Sequence, residues 1–100
     1  MVTFIYTYDI LPGKMDEFRA WVRSTGLPFW TGQPEVRSNR VLENLFEGLG
    51  SPERTVVLEL DSFADFERLT ERDETKRVAS EFLSCGTNVQ TYYYRTLFTE

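Results

Sequence analysis

A strand-turn-helix unit occurs twice in this chain of 100 residues, and this repetition limits the possible folds more than any other feature. The first unit has alternating strand residues over 4–10, a Pro12-Gly13 turn and an amphipathic run over 14–25. The second has an apolar strand over 55–60, a turn at Asp61 and Ser62, and a helical pattern from Phe63. Strand periodicity that changes to helical periodicity after a turn predicts an α+β fold.

The segments between and after these units complete the order of elements. Residues 26–36 hold two glycines, two prolines and Trp30 without periodicity, which predicts a loop. Residues 38–47 predict a strand, joined through residues 48–54 in an antiparallel hairpin to the strand over 55–60. A capping box at Ser62 and Asp65 starts a helical region that breaks near Asp73, and residues 88–98 form the last strand.

The resulting order, strand, helix, strand, strand, helix, strand, predicts the ferredoxin-like split βαβ fold with a four-stranded antiparallel sheet. Residues 1–100 have the length of a single domain. Large apolar residues lie on both faces of the predicted strands, whereas the helices can cover only one face. We therefore expect a homodimer that packs sheet against sheet.

Composition restricts the partners and the chemistry. The formal net charge of −5 at pH 7 argues against nucleic-acid binding, and no apolar run approaches the ~20 residues of a membrane helix. We expect a cytoplasmic protein, in which Cys85 is a buried packing residue. The sequence has no histidine, and its acidic residues lack the spacing of a calcium loop, so we expect neither a metal nor a cofactor.

Two stretches resemble a known superfamily. Residues 8–14 (YDILPGK) with Phe18 and Trp21, and residues 57–63 (VLELDSF) with Phe66, resemble the dimeric α/β-barrel superfamily. Within it the chain resembles NIPSNAP-like and antibiotic-biosynthesis-monooxygenase-like members. The resemblance implies a dimer whose subunits each hold a pocket between sheet and helices. Branches of the superfamily that bind haem or catalyse through histidine do not fit a chain without that residue.

Three aromatic residues are candidates for binding a ligand in such a pocket. Tyr6 and Tyr8 share one face of the first strand, so that one of them could donate a hydroxyl to a ligand while the other packs; packing alone is the alternative for both. Trp30, in the predicted loop, is a candidate lid residue. Trp21 lies on the apolar stripe of the first helix and is interpreted as a core residue.

Two polar residues of the second predicted strand complete the candidate set. Arg40 and Asn44 share a strand face with Leu42 if the strand is regular, which would place a cation and an amide side by side in the pocket. The alternative for Arg40 is an ion pair with Glu59 across the hairpin. For Asn44 the alternative is an edge position hydrogen-bonded to water.

The sequence leaves three functions open. The first is a homodimer that binds a small aromatic or polyketide-like molecule. The second is a cofactor-independent monooxygenase in which Arg40, Asn44 and a tyrosine stabilise the anion of an aromatic substrate. The third is a non-catalytic dimerisation module whose aromatic residues only fill the core. No catalytic residue can be assigned from the sequence.

Overall fold

A computed structural model describes residues 1–46 and 50–99 of the chain. These residues form four strands and four α-helices, in the order β1 (Val2–Ile10), α1 (Met15–Trp21), α2 (Leu27–Thr31), β2 (Ser38–Glu43), β3 (Arg54–Leu60), α3 (Phe63–Glu71), α4 (Asp73–Leu83) and β4 (Gly86–Arg95). None of these helices has the length and apolar composition needed to cross a bilayer.

The strands form one antiparallel sheet in the order β2-β3-β1-β4. This is the order of the ferredoxin-like fold, and it confirms the predicted fold class. The predicted hairpin between β2 and β3 is also confirmed. The apolar strand β3 lies inside the sheet, between β2 and β1, as its composition predicts.

Side-chain alternation divides the sheet into a helix-covered face and an open face. On β1, Phe4 and Tyr8 are buried beneath the helices in the main core cluster. Ile5 points the other way, in register with Val57 of β3 and Tyr92 of β4. The three consecutive tyrosines of β4 divide between the two faces, because Tyr93 stacks on Phe4 whereas Tyr92 and Tyr94 stack on each other.

The prediction of a loop over residues 26–36 is wrong for its first half. The helix that begins at Met15 continues through a π-helical turn (Val22–Gly26) into α2. Gly26 and Pro28 belong to residue types that usually end a helix, but both are compatible with this path. Gly26 has helical dihedral angles, and Pro28 lies in the first turn of α2, directly after the π-helical turn, a position where proline is common.

The ends of the other elements differ from the predicted ones by a few residues. β2 ends at Glu43, although the backbone N–H of Asn44 still donates to the carbonyl of Glu53 (3.0 Å). The predicted end of this strand at Glu47, and the first two residues of the predicted connection, 48 and 49, lie outside the described residues. β4 runs over Gly86–Arg95 rather than 88–98.

The second helical region is divided in two, as predicted. The Ser62 hydroxyl caps α3 by accepting the N–H of Asp65 (3.3 Å). α3 ends at Glu71 because Arg72 adopts an extended conformation, and α4 begins at Asp73. Cys85 follows α4 and is buried in the core cluster, as predicted.

Candidate functional site

A cavity of about 240 Å³ lies between the helix-covered face of the sheet and the helices. Its sheet wall comes from β1 and β4, and its opposite wall from α1, α2 and α4. Four lining residues are exposed and mark the mouth of the cavity: Ala79, Leu83, Val89 and Thr91. The lining consists of Phe4, Tyr6, Trp21, Trp30, Thr75, Val78, Ala79, Phe82, Leu83, Val89 and Thr91.

One face of α4 supplies almost half of this lining. Its contributing positions are 75, 78, 79, 82 and 83, which follow the i, i+3, i+4, i+7, i+8 spacing of a single helical stripe. At the centre of the stripe, the ring of Phe82 meets Tyr6 edge-on at a centroid distance of 5.7 Å. The amphipathic pattern of α4 therefore builds the cavity wall as well as the core.

The polar centre of the cavity is a hydrogen bond between β1 and α2. The indole Nε1 of Trp30 donates to the hydroxyl oxygen of Tyr6 at 3.2 Å. Burial raises the pKa of Tyr6 to about 12, and the bond from Trp30 lowers it by a smaller amount. Tyr6 therefore stays protonated at neutral pH, and its hydroxyl can act as a hydrogen-bond donor to an occupant.

The cavity lining lacks charged side chains among the residues that the structure describes. An ionised ligand would lose its hydration here without gaining an ion pair, which is costly. The volume exceeds the ~150 Å³ of a cavity that takes up benzene, and it is smaller than the ~300–1,000 Å³ of drug-sized sites. The cavity therefore matches an uncharged molecule of one or two rings.

Tyr8 lies deeper than Tyr6 and has a different environment. Only 1% of its surface is exposed, and its ring packs edge-on against Phe82 at 4.7 Å. Burial raises its pKa above the usual range for tyrosine. Tyr8 borders a separate gap of about 20 Å³, which has room for one water molecule. Of the two candidate tyrosines, the structure places Tyr6 in the larger cavity and Tyr8 in the core behind it.

Arg40 lies on the open face of the sheet, away from the cavity. In the β2–β3 register it pairs with Val57, and Leu42 pairs with Thr55 on the same face, so the predicted sharing of a face is correct for these two residues. That face is opposite to the one that carries Tyr6. Among the described residues Arg40 has no ion pair with Glu59, which the register places across from Ser38.

The side chain of Asn44 is hydrogen-bonded to the backbone of the β2–β3 connection. Its Nδ2 donates to the carbonyl of Pro52 (3.0 Å), and its Oδ1 accepts the N–H of Phe46 (2.9 Å). These bonds are a local turn interaction rather than the expected bond to water or to a ligand. The structure therefore brings Tyr6 and Trp30 together, and separates them from Arg40 and Asn44.

Sequence reasoning missed several residues of the cavity wall. The helical spacing of Val78, Ala79, Phe82 and Leu83 is visible in the sequence, but such spacing indicates a buried helix face and does not by itself predict a cavity. Its extension by one turn to Thr75 would have been the signal for a polar group in the wall. Trp21, interpreted as a core residue, packs against the core and also lines the cavity, while its Nε1 donates to Glu81 (3.2 Å).

The fold and the cavity together define a small ferredoxin-like α+β protein with an apolar, aromatic-rich pocket between sheet and helices. Solved structures with this fold include HapK from Hahella chejuensis, with a TM-score of 0.83 and 17% identity over 100% of this chain and 96% of that chain. SnoaB from Streptomyces nogalater, a cofactor-independent oxygenase, has a TM-score of 0.77 and 16% identity over 98% of this chain and 94% of that chain.

A third similar structure is a dimeric protein of unknown function with a ferredoxin-like fold from Bacteroides fragilis. Its TM-score is 0.72 and its identity 14%, over 95% of each chain. No protein-family model and no curated protein matches the sequence. The predicted resemblance to the dimeric α/β-barrel superfamily is confirmed at the level of the fold.

Proposed function

We propose that this protein binds a small aromatic molecule in the cavity between sheet and helices, and that it does so as a homodimer. The observation that carries the proposal is the cavity itself, of about 240 Å³, with an apolar lining and the Tyr6 hydroxyl within it. Convergence of a few polar groups in an apolar pocket is the usual form of a small-molecule site.

A variant that obstructs the cavity tests ligand binding. Ala79 is an exposed lining residue of α4, so Ala79→Trp should block the cavity without disturbing the core. Ser80, the next residue, is also exposed but is not part of the lining, and Ser80→Trp is the matched control. In isothermal titration with 2-acetylnaphthalene, we expect saturable binding to the wild type and to Ser80→Trp, and none to Ala79→Trp.

Two other outcomes would reject the proposal. Absence of binding to the wild type, together with absence of any small molecule in a denatured extract of the purified protein, would favour the dimerisation module with a filled interior. Equal binding to Ala79→Trp and the wild type would place the ligand outside this cavity.

The open face of the sheet supports the homodimer. Ile5, Val57 and Tyr92 form an apolar row across the three strands β3, β1 and β4 on this face. On this face Leu42, Tyr92 and Tyr94 are exposed, whereas Val57 is only 6% exposed. A second copy packed sheet against sheet would remove the exposed part of this apolar surface from water. The similar protein from Bacteroides fragilis is dimeric.

A charge placed in that row tests the dimer. Ile5→Lys would desolvate an unpaired ammonium group between the two sheets, so we expect the subunits to separate. Ala64→Lys adds the same charge at an exposed position on α3 and serves as the control. Sedimentation equilibrium should give twice 11.7 kDa for the wild type and the control, and 11.7 kDa for Ile5→Lys. A monomeric wild type would contradict the proposal.

The second candidate function is cofactor-independent oxygenation of an aromatic substrate. It is favoured by the similar fold of the oxygenase SnoaB and by the protonated Tyr6, which could donate a hydrogen bond to a substrate oxyanion. Arg40 and Asn44 cannot assist within this cavity, because they lie outside it. The described lining supplies no carboxylate, amine or imidazole as a base, so the substrate itself would have to ionise readily.

Oxygen uptake with 1,4-naphthohydroquinone distinguishes this candidate from binding alone. One oxygen atom would enter the ring and the other would leave as water, so that the hydroquinone and O₂ give 2-hydroxy-1,4-naphthoquinone and water. An enzyme should consume oxygen well above the rate of autoxidation, and Tyr6→Phe should lower that excess. A rate equal to that of a protein-free control would reject the oxygenase.

A further inference from the structure

We propose that the cavity selects an uncharged aromatic ligand of one or two rings that carries an acceptor oxygen. This oxygen accepts a hydrogen bond from the Tyr6 hydroxyl, and the Thr75 hydroxyl is a second polar contact. This inference rests on the proposed binding function and specifies the class of ligand. Four features of the described residues support it: the bonding of Tyr6, the position of Thr75, the charge of the lining and the size of the cavity.

The Tyr6 hydroxyl has an unused proton in a fixed position. Its oxygen accepts the Nε1–H of Trp30 at 3.2 Å, and this bond holds both side chains in place. The Tyr6 proton has no acceptor among the described residues. The raised pKa of Tyr6, about 12, keeps that proton in place at neutral pH. An acceptor atom on the ligand would complete the hydrogen bonding of this group.

Thr75 has a buried hydroxyl that lacks a hydrogen bond. The residue is 8% exposed and occupies the first turn of α4, at the start of the stripe that lines the cavity. Its Oγ1 has no partner within the described part of the chain. Threonine in a helix divides between two χ1 rotamers, so rotation about χ1 can redirect the hydroxyl group. A buried hydroxyl without a partner is a rare feature that favours a polar atom on the occupant.

The charge and size of the cavity exclude other classes of ligand. The described lining carries no cation to balance a carboxylate or a phosphate. The nearby carboxylate of Glu81, which accepts from Trp21, is itself paired with Arg77 (2.9 Å) and is not part of the lining. A volume of about 240 Å³ holds one or two rings with a small substituent, and is too small for a larger polycyclic molecule.

Three probes that differ in one property at a time test this selection. They are 2-acetylnaphthalene, which has an acceptor oxygen, 2-naphthoate, which has nearly the same shape but a negative charge, and naphthalene, which has no oxygen. By isothermal titration at pH 7, we expect 2-acetylnaphthalene to bind most tightly. We expect 2-naphthoate to bind at least about tenfold more weakly, because its charge is desolvated without a partner.

Two variants identify the groups that contact the oxygen-bearing probe. We expect Tyr6→Phe to weaken 2-acetylnaphthalene about fivefold to tenfold, the size of effect usual for one lost hydrogen bond, and to leave naphthalene unchanged. Thr75→Val keeps the shape and removes the hydroxyl, so it should weaken 2-acetylnaphthalene by about twofold to fivefold without loss of thermal stability. Thr70→Val, which loses a hydroxyl at an exposed position of α3 outside the cavity lining, is the control for both.

The outcomes separate this inference from the function on which it rests. Equal affinity for 2-naphthoate and 2-acetylnaphthalene, or unchanged affinity in Tyr6→Phe, would overturn the proposed selection while binding itself stands. Unchanged affinity in Thr75→Val would overturn the second contact. If none of the three probes binds to the wild type, the proposed binding function and the proposed selection both fail.

Discussion

Gly26 ends the π-helical turn at a point where the ring of Trp21 leaves no room for a side chain. A Cβ atom built on Gly26 would lie 2.9 Å from Cζ3 of Trp21. The indole cannot move away freely, because its ring packs near Phe18 and Phe82 and its Nε1 is bonded to Glu81. The glycine is therefore required for close packing, since its own dihedral angles are those of an ordinary helix.

We expect Gly26→Ala to lower the free energy of unfolding by about 1 kcal/mol. Overpacking against Trp21 costs about 1–3 kcal/mol, and the better helix propensity of alanine offsets roughly 1 kcal/mol of that cost. Urea unfolding followed by circular dichroism measures the difference. Ser24→Ala, at an exposed position of the same turn, should leave the midpoint nearly unchanged. A Gly26→Ala variant more stable than the wild type would contradict this packing argument.

The candidate site residues differed in how well a sequence could place them. Tyr6 and Trp30 line the cavity, as expected of large aromatic residues beside a pocket, although Trp30 lies in α2 rather than in the predicted loop. Their mutual hydrogen bond could not be predicted, since it depends on how α2 crosses β1. For Arg40, the alternation of side chains correctly predicted that it shares a face with Leu42, but not which face of the sheet this is. A shift of one residue would move every side chain of the strand to the other face.

At the scale of elements, the clearest case of local sequence control is the start of α3 directly after β3. The Ser62 hydroxyl accepts the N–H of Asp65, and the backbone of Ser62 is extended, as at most helix N-caps. Asp65 also lies in the first turn, where the helix dipole favours negative charge. The start of α3 is therefore encoded within four residues.

Loss of this cap should be measurable. Ser62→Ala leaves the N–H of Asp65 without its partner, and we expect it to lower the free energy of unfolding by about 1 kcal/mol. Ser62→Asp retains a capping oxygen and should stay close to the wild type. The two urea midpoints, compared at neutral pH, give the answer; equal midpoints for the alanine and aspartate variants would show that the cap contributes nothing.

Elements with strong local signals were predictable, and those that depend on tertiary contacts were not. The cap at Ser62 and the break near Asp73 are local, and both are confirmed. The helix α2 was missed because Gly26 and Pro28 resemble stop signals, whereas here the packing of Trp21 requires the glycine and the first helical turn accepts the proline. The end of β4 at Arg95 is likewise set by pairing with β1.

At the scale of the whole molecule, one arginine joins segments that are far apart in the sequence. Arg72, between α3 and α4, donates from Nη1 to Oε1 of Glu35 (2.6 Å) and to Oε1 of Gln33 (2.8 Å), and from Nη2 to Oε2 of Glu35. The segment after α2 is thereby attached to the junction of α3 with α4, and α4 lines the cavity. The two-point geometry is the strong form of an arginine–carboxylate bond.

This contact predicts a dependence of stability on pH. The bond from Arg72 lowers the pKa of Glu35, so the folded state favours the ionised carboxylate. The stabilisation is complete above the unfolded pKa of about 4.3 and is lost as the pH falls toward the lowered folded pKa. We expect Glu35→Gln to reduce the urea midpoint at pH 7, with the difference from the wild type shrinking below about pH 4.

Asp61→Asn provides the comparison for Glu35→Gln. Asp61 also has a lowered pKa, because of its hydrogen bond from Arg37, but both side chains of that pair are more than half exposed. Exposed ion pairs contribute little, so this substitution should cost less at pH 7. A difference between wild type and Glu35→Gln that stays constant from pH 7 to pH 3 would contradict the assigned role of the carboxylate.

The cavity wall contains both tryptophans of the chain, Trp21 and Trp30. Each indole N–H is held by a hydrogen bond, Trp21 to Glu81 and Trp30 to Tyr6, so neither ring rotates freely. Indole fluorescence responds to the polarity of its surroundings, and this chain has no tryptophan elsewhere to add an unresponsive background. Intrinsic fluorescence should therefore report binding directly, because a molecule that enters the cavity changes the environment of every tryptophan in the subunit.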